Sequence, residues 1–322
     1  MALRRGIIGC RQHADLPSHC ATILALPFQL SSLPIPRTLR QRLTPARAPP
    51  SYPATARYHS KCTMRIATWN INSVRRRLPL VVDWLAANKP DALCLQETKV
   101  PDGEFPAVAF RDAGYYVAFR GMKGYNGVAT LSRREPEAVS HGFCAGPDSE
   151  DVRILETVID GLPIINTYVP QGNKIGTDKY VYKLEWFHRV RRYFSERLGP
   201  TTPAIWLGDL NVAPEPIDVY HAEHRVNDPD FHIDAREAYR HAVGWGFIDV
   251  FRELYPDRVQ YTYWDYFRNA FAHNWGWRID HILATAPLAA VCRASDVDLE
   301  TRRATGASDH AVVWADFDNH SR

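Results

Sequence analysis

The sequence predicts an α/β domain in which two mixed β-sheets pack face to face with helices outside. Three observations carry that expectation. Helical and strand periodicities both occur between residues 64 and 318, yet several strands follow one another directly, which disfavours a strictly alternating βαβ chain. The composition, 45% hydrophobic and 23% charged over 322 residues, is that of a globular protein and excludes disordered and fibrous classes. No internal repeat, low-complexity tract or linker interrupts residues 64–318, so they read as one large domain.

The elements follow in order. Met64–Ile71 alternates and is rich in strand formers. Leu78–Ala87 has the spacing of an amphipathic helix that stops before Asn88-Lys89-Pro90. Asp91–Glu97 is a second strand, and Tyr115–Arg120 and Val128–Ser132 are strands joined by the Gly121–Gly127 turn region. Arg153–Ile159 and Pro163–Val169 form a hairpin around Asp160-Gly161. Asp178–Leu198 is a long helix, and Ala204–Leu207 a short buried strand entering Gly208-Asp209. Ile233–Val243 is helical, and Tyr261–Asp265, Arg278–Ala284 and Ala311–Phe317 are the last strands.

Residues 1–63 differ from the rest. They hold nine Lys/Arg against one acid, eight of the 23 prolines and none of the nine tryptophans. Their net charge of +8 leaves the remaining 259 residues at −5, so the overall +3 comes from this extension. It reads as a disordered tail, an upstream stretch ahead of a start at Met64, or an organelle-targeting segment. The corresponding locations are the cytoplasm, as for a bacterial-type enzyme, or an organelle. No run of 18 apolar residues occurs, so no membrane partner is expected. The six cysteines, at positions 10, 20, 62, 94, 144 and 292, contain no C-x-x-C, which gives little support to structural zinc.

Polar residues recur where strands end: Asn70 after Trp69, Glu97 in Leu95-Gln96-Glu97-Thr98-Lys99, Asp209 and Asn211 in Gly208-Asp209-Leu210-Asn211, Asp280 in Arg278-Ile279-Asp280, and Ser308-Asp309-His310. Each alone has a plainer explanation. Asp209 and Asn70 suit turns, Glu97 a surface, and Asp309-His310 a structural pair. Asp280 is less easily dismissed, because a charge inside a buried strand costs several kcal/mol unless paired. Ser308 near His310 lacks the G-x-S-x-G elbow of a serine hydrolase. Together the carboxylates and amides are hard oxygen donors, suited to Mg²⁺ or Mn²⁺ and to metal-assisted phosphodiester hydrolysis.

In this order and spacing the segments resemble the exonuclease III family, comprising exodeoxyribonuclease III and the related apurinic/apyrimidinic endonucleases of the endonuclease/exonuclease/phosphatase superfamily. The resemblance runs from Met64 to about Phe317 and includes Gly121–Ala129, Asn166–Gln171 and Tyr261–Trp264. It implies a four-layered α/β sandwich and a metal-dependent DNA-repair nuclease: a 3′→5′ exonuclease with abasic-site endonuclease activity, a reading that extends to 3′-phosphatase activity. By the resemblance Asn70, Glu97 and Asp309 lie at the metal, with Asp209, Asn211 and His310 within its reach. Asp209 orients or deprotonates the attacking water, and Asn211 holds the phosphate or nucleophile. His310 contacts the scissile phosphate while Asp280 accepts its other ring proton, and Tyr168 stabilises the phosphate region. Asn72 stands where some eukaryotic relatives carry an acid, which leaves one or two ions open.

The implied DNA-facing residues are Asn72, Lys99, Lys123, Asn126 and Gln171, with Tyr263, Trp264, Trp277 and Ile279 around a pocket for the base-free sugar. Without the resemblance, Tyr263 and Trp277 read as core aromatics. Arg75, Arg76 and Arg77 read equally as phosphate contacts or a solvated helix start. The expected partners are double-stranded and abasic-site DNA, bound by a monomer. Two other classes compete: a phosphatase of the same superfamily acting on inositol phosphates or a sphingolipid, and a catalytically silent nucleic-acid-binding relative. The L-Q-E-T-K and R-I-D/S-D-H segments favour the DNA branch, and the silent relative would be expected to have lost a site residue.

Overall fold

The computed structural model describes residues 63–143, 152–199 and 201–318. The expected extension, residues 1–63, lies outside the described residues apart from Thr63. In chain order the main elements are β1 (Thr63–Asn70), α1 (Val74–Asn88), β2 (Ala92–Gln96), α2 (Ala107–Asp112), β3 (Tyr116–Arg120), β4 (Val128–Ser132), β5 (Ala138–His141), β6 (Ile154–Ile159), β7 (Leu162–Tyr168), α3 (Asp178–Arg197), β8 (Ile205–Asp209), α4 (Ile233–Val243), β9 (Phe247–Asp249), α5 (Val250–Leu254), β10 (Asp280–Thr285), β11 (Cys292–Asp298) and β12 (Val312–Asp318). They build two six-stranded sheets, in the orders β11-β12-β1-β2-β4-β3 and β5-β6-β7-β8-β10-β9. Each is mixed, with one parallel pair at its centre, β1 with β2 and β7 with β8.

Side-chain alternation assigns the layers. Ile66, Cys94, Ile164, Leu207, Ile282 and Val313 meet between the sheets. Their neighbours Ala67, Leu93 and Leu131 face outward, under Val81, Trp84 and Leu85 of α1 and Phe110 of α2. Ile165, Trp206 and Leu283 face the other way, under Trp186, Phe187 and Phe194 of α3 and Ala235 and Tyr239 of α4. The result is the expected four-layered sandwich, helix–sheet–sheet–helix. The β6–β7 turn is tight because Asp160 and Gly161 both take positive φ, 51° and 74°, as a two-residue hairpin loop requires.

The segment expected as a strand over Tyr261–Asp265 is not one. Tyr263 makes isolated bridges to Trp277 and His310, and the Trp264 N–H donates to the Asp309 carbonyl at 2.9 Å. The stretch is a spacer stitched on both sides to the site loops, too briefly for a ladder. A chain beginning at Met64 retains every core cluster of the described residues, so it is expected to fold and cleave DNA, with weaker non-specific binding at low salt once the basic extension is gone. An insoluble or inactive truncation, measured by circular dichroism and nicking assay, would contradict this.

Candidate active site

Register brings the polar strand ends together. Asn70 pairs beside Gln96, Tyr168 beside Asp209, and Asp280 opposite Asp209, so β1, β2, β7, β8 and β10 all deliver side chains to one end of the sandwich. Gly208 permits the approach of β8 to β7. At φ 132° it leaves no room for a Cβ, which would stand 1.9 Å from the Thr167 carbonyl oxygen. From the first sheet, the Ser308 hydroxyl donates to the Asn70 carbonyl at 2.7 Å, and Trp69 Nε1 donates to the His310 carbonyl at 3.1 Å. These two bonds pin the loop before β12 against the end of β1.

Asp209, Asp280 and His310 form the buried half of the site. His310 Nδ1 lies 2.8 Å from Asp280 Oδ2, which also accepts the Thr262 hydroxyl at 2.6 Å. Asp280 Oδ1 is buried with no hydrogen-bond partner among the described residues. Burial alone would lower the imidazole pKa. The charge and hydrogen bond of Asp280, with Asp209 and Asp309 beyond, outweigh burial and push it up to about 10. His310 is therefore an imidazolium at neutral pH, and its Nε2 stands 3.9 Å from Asp209 Oδ2. Asp209 is held well above the ordinary carboxylate range, first by burial and then by the Asp280 charge, with His310 and the Asn70 hydrogen bond opposing. Its Oδ1 accepts the Asn211 N–H at 3.0 Å, and the Asn211 amide donates to the Val169 carbonyl at 2.9 Å.

Asn70 joins this half to the second. Its Nδ2 donates both to Asp209 Oδ2 at 2.8 Å and to Glu97 Oε1 at 2.9 Å. Burial would raise the Glu97 pKa, but Lys99, the Asn70 hydrogen bond and His310 hold it below its ordinary value, so it is ionised. The Tyr168 hydroxyl faces the Glu97 and Asp209 carboxylates. Burial and the neighbouring acids push the phenol well up, so it stays a donor. Asn72 Nδ2 donates to Asp309 Oδ1 at 3.1 Å. The Lys99 ammonium sits 2.5 Å from Glu97 Oε2 and 2.6 Å from Asn72 Oδ1. A cation thus already nests among these oxygens, and the donors (two carboxylates and two amide oxygens) are those a hard divalent ion takes. In the buried half, ligand atoms of Asp209, Asp280 and His310 lie within 4.8 Å of one another, a group able to hold a metal ion.

Beside His310 opens a groove of about 790 Å³, lined in part by Gln171, Tyr220, Arg225, Tyr263, Trp275 and Trp277. The Tyr263 ring centroid is 4.8 Å from that of His310. Tyr263 and Trp277, expected at a sugar pocket, and Gln171, expected at the phosphate backbone, all line this groove. Ile279 is 4% exposed and packs with Ala213, Val219 and Phe231 beneath Tyr263 and Trp277, so it supports the wall from behind. Trp264 is corrected: it is 1% exposed in the core between the sheets, and its indole donates to Asn274, so it cannot meet DNA. Lys123 is exposed on the β3–β4 turn, where the Asn126 carbonyl accepts the Lys99 N–H at 3.0 Å.

The cations after the first motif separate. Arg75 and Arg76 are exposed, and Arg75 pairs with Glu104. Arg77 is buried, with neither a phosphate-facing nor a solvated position. Sequence reasoning missed Tyr220, Arg225 and Trp275 in the groove, which carry no motif. It also missed Lys183, whose fully buried ammonium bonds the carbonyls of Gln171, Asn211 and Pro229 and the Asp230 carboxylate at 2.6–3.1 Å.

A profile of the Endonuclease/Exonuclease/phosphatase family matches residues 67–310. Exodeoxyribonuclease III of Haemophilus influenzae is 32% identical over 266 residues, which span 79% of this chain and 100% of that protein. Among solved structures, an AP endonuclease from Archaeoglobus fulgidus is 46% identical, covers 80% of this chain and 100% of its own, and superposes with a TM-score of 0.77. The 3′ phosphatase NExo from Neisseria, bound to a product DNA hairpin, is 36% identical with a TM-score of 0.75, again over 80% of this chain and 100% of its own. Among the described residues no helix is long and apolar enough to cross a membrane. The chain belongs to the endonuclease/exonuclease/phosphatase family, beside its exodeoxyribonuclease III and AP endonuclease members, and is a hydrolytic nuclease of that group.

Proposed function

We propose that this DNA-repair nuclease cuts duplex DNA on the 5′ side of an abasic site, leaving a 3′-hydroxyl, and trims 3′ ends with the same centre. The observation that carries the reading is the aromatic groove of Tyr263 and Trp277 against the His310–Asp280 pair. A missing base cannot be recognised by hydrogen bonds to it. An apolar wall that receives the bare, extruded sugar next to the scissile phosphate can select for it, and extrusion costs least where pairing is already lost.

The chain's own groups divide the work. Asp209, with its raised pKa, takes the proton of the attacking water, and Asn70 and the Asn211 N–H hold its carboxylate in place. The His310 imidazolium, fixed by Asp280, and the Tyr168 hydroxyl donate to phosphate oxygens as charge develops on them. Glu97, Asn70 and Asp309 are the residues that would hold Mg²⁺, or Mn²⁺ in its place, and the ion would neutralise phosphate charge and polarise the bond to the leaving oxygen. Lys99 would yield Glu97 to the ion and turn to the DNA backbone. EDTA is expected to abolish cleavage and Mg²⁺ or Mn²⁺ to restore it; full activity in excess chelator would refute metal dependence.

One assay with Mg²⁺ tests the substrate: a blunt duplex, a nick carrying a 3′-phosphate and an abasic duplex, compared side by side. Abasic incision is expected. Its absence, with 3′-end processing present, favours a second reading as a 3′-exonuclease or phosphatase, which the Neisseria relative supports. Trp277→Ala is expected to lower the ratio of abasic incision to 3′-end digestion, because it opens the wall and leaves the reaction centre in place. An unchanged ratio in a folded variant makes Trp277 a packing residue.

A further inference from the structure

Arg77 lies in the first turn of α1 and is 3% exposed, yet its guanidinium meets no carboxylate in an ion pair among the described residues. Its nitrogens are spent instead on backbone of two separate site loops. Nη1 donates to the Asn72 carbonyl, Nε to the Gly306 carbonyl at 3.1 Å, and Nη2 to the Ala307 carbonyl at 3.0 Å. Nη2 also donates to the Tyr266 hydroxyl at 2.7 Å, which itself donates to the Ala307 carbonyl at 2.9 Å. A buried guanidinium satisfied by neutral carbonyls and a hydroxyl, with no carboxylate, is costly to keep, and a hydrophobic residue would fill the space at less cost.

What the bonds hold explains its presence. Asn72 and Ser73 take positive φ, 43° and 94°; asparagine adopts such a conformation readily, but serine at φ 94° and ψ 109° does so only under restraint. The Asn72 side chain in turn bonds Asp309, and Gly306-Ala307 lead directly into Ser308-Asp309-His310. On its other side Tyr266 belongs to the turn Asp265–Asn269 at the groove rim, where Phe267 is 76% exposed. We propose that Arg77 is a positioning residue: it fixes the Asn72 turn against the Asp309 loop, so that the metal-side oxygens converge, and through Tyr266 it anchors the DNA-facing rim to them. This rests on the metal-dependent nuclease reading above. A lysine does not replace it, because its single ammonium nitrogen cannot reach four acceptors that are served from three separate nitrogens of the planar fork.

The test uses the full chain. Mn²⁺ binding is measured without DNA by electron paramagnetic resonance of the free ion, alongside kcat and KM on abasic duplex, for wild type, Arg77→Lys and Tyr266→Phe. Loss of an outer partner of a metal ligand typically costs about 10–100-fold in affinity. Arg77→Lys is expected to weaken Mn²⁺ by about that factor and to lower kcat. Tyr266→Phe leaves the three carbonyl bonds intact, so Mn²⁺ affinity is expected to hold while KM for DNA rises and kcat stays. A merely structural arginine would lower the melting temperature and leave ion affinity and this split unmoved. Wild-type Mn²⁺ affinity in folded Arg77→Lys, or an unchanged KM in Tyr266→Phe, overturns the proposal. A wild type that binds no Mn²⁺ overturns the metal reading and the proposal with it.

Discussion

Asp209→Asn is expected to cut turnover by about 10²–10⁴-fold, the usual cost of removing a general base, while binding of abasic duplex survives. The substitution keeps the size and shape of the side chain, and its one remaining oxygen can accept either the Asn70 amide or the Asn211 N–H but not both, so one local bond is lost while the core is untouched. It removes the proton acceptor. It also removes one of the acidic groups that hold His310 in its charged form, so part of the loss comes through the phosphate contact. The acid limb of the rate profile should vanish with it, because the wild type gains activity as Asp209, its pKa raised by burial, gives up its proton. Single-turnover rates with filter binding separate the two effects. Near wild-type turnover would move the base elsewhere.

Asp280→Asn is the second large effect and has a different signature in pH. In the wild type His310 is raised to about 10, chiefly because Asp280 outweighs the burial that lowers it. Since the folded value lies above the unfolded one, the ion pair's stabilisation is fully present below the ordinary histidine pKa of about 6.5 and is lost as pH rises through about 10. The same proton supports catalysis, so the wild-type rate should hold through pH 8 and fall only at strongly alkaline pH. With Asp280 neutralised, the burial that lowers the imidazole pKa is less opposed, and the alkaline limb should move down. The expected deficit is on the order of 10²-fold at pH 8, narrowing as pH falls. A variant with a parallel, uniformly lowered profile would mean that Asp280 orients His310 without setting its charge.

The site was more legible in the sequence than its surroundings, for a physical reason. Asn70, Glu97, Asp209, Asp280 and His310 are polar residues at the ends of apolar strands, and such placement is visible in one dimension. The strands that went unread, β5, β9 and β11, are edges or short: β5 is largely exposed and β11 carries Arg293, Asp296 and Asp298, so neither shows a clean apolar period. Tyr263 and Trp264 illustrate a second limit. Adjacent residues in extended chain point to opposite sides, so only one of the two can line the groove, and the sequence does not say which. Arg75, Arg76 and Arg77 illustrate a third, since a run of like cations conceals that one of them turns inward to carbonyls supplied from residues 306 and 307.

The polar contact between the sheets has a mechanical consequence. Within that mostly apolar layer, Gln96 of β2 donates to Asn166 of β7 at 2.7 Å, and Asn166 donates onward to the Leu95 and Ala129 carbonyls at 3.2 and 2.9 Å. Oily surfaces attract without direction and resist little when slid past one another. Amide bonds have fixed length and angle, so they act as dowels against shear. The reaction centre needs such dowels because both sheets supply its side chains: Asn70 reaches across to Asp209, and His310 to Asp280. A slip of about 1 Å would leave each sheet intact and every strand paired, yet it would stretch both of those bonds beyond hydrogen-bonding length. The molecule therefore has a way to lose function without unfolding, and the pair Gln96–Asn166 is what closes it.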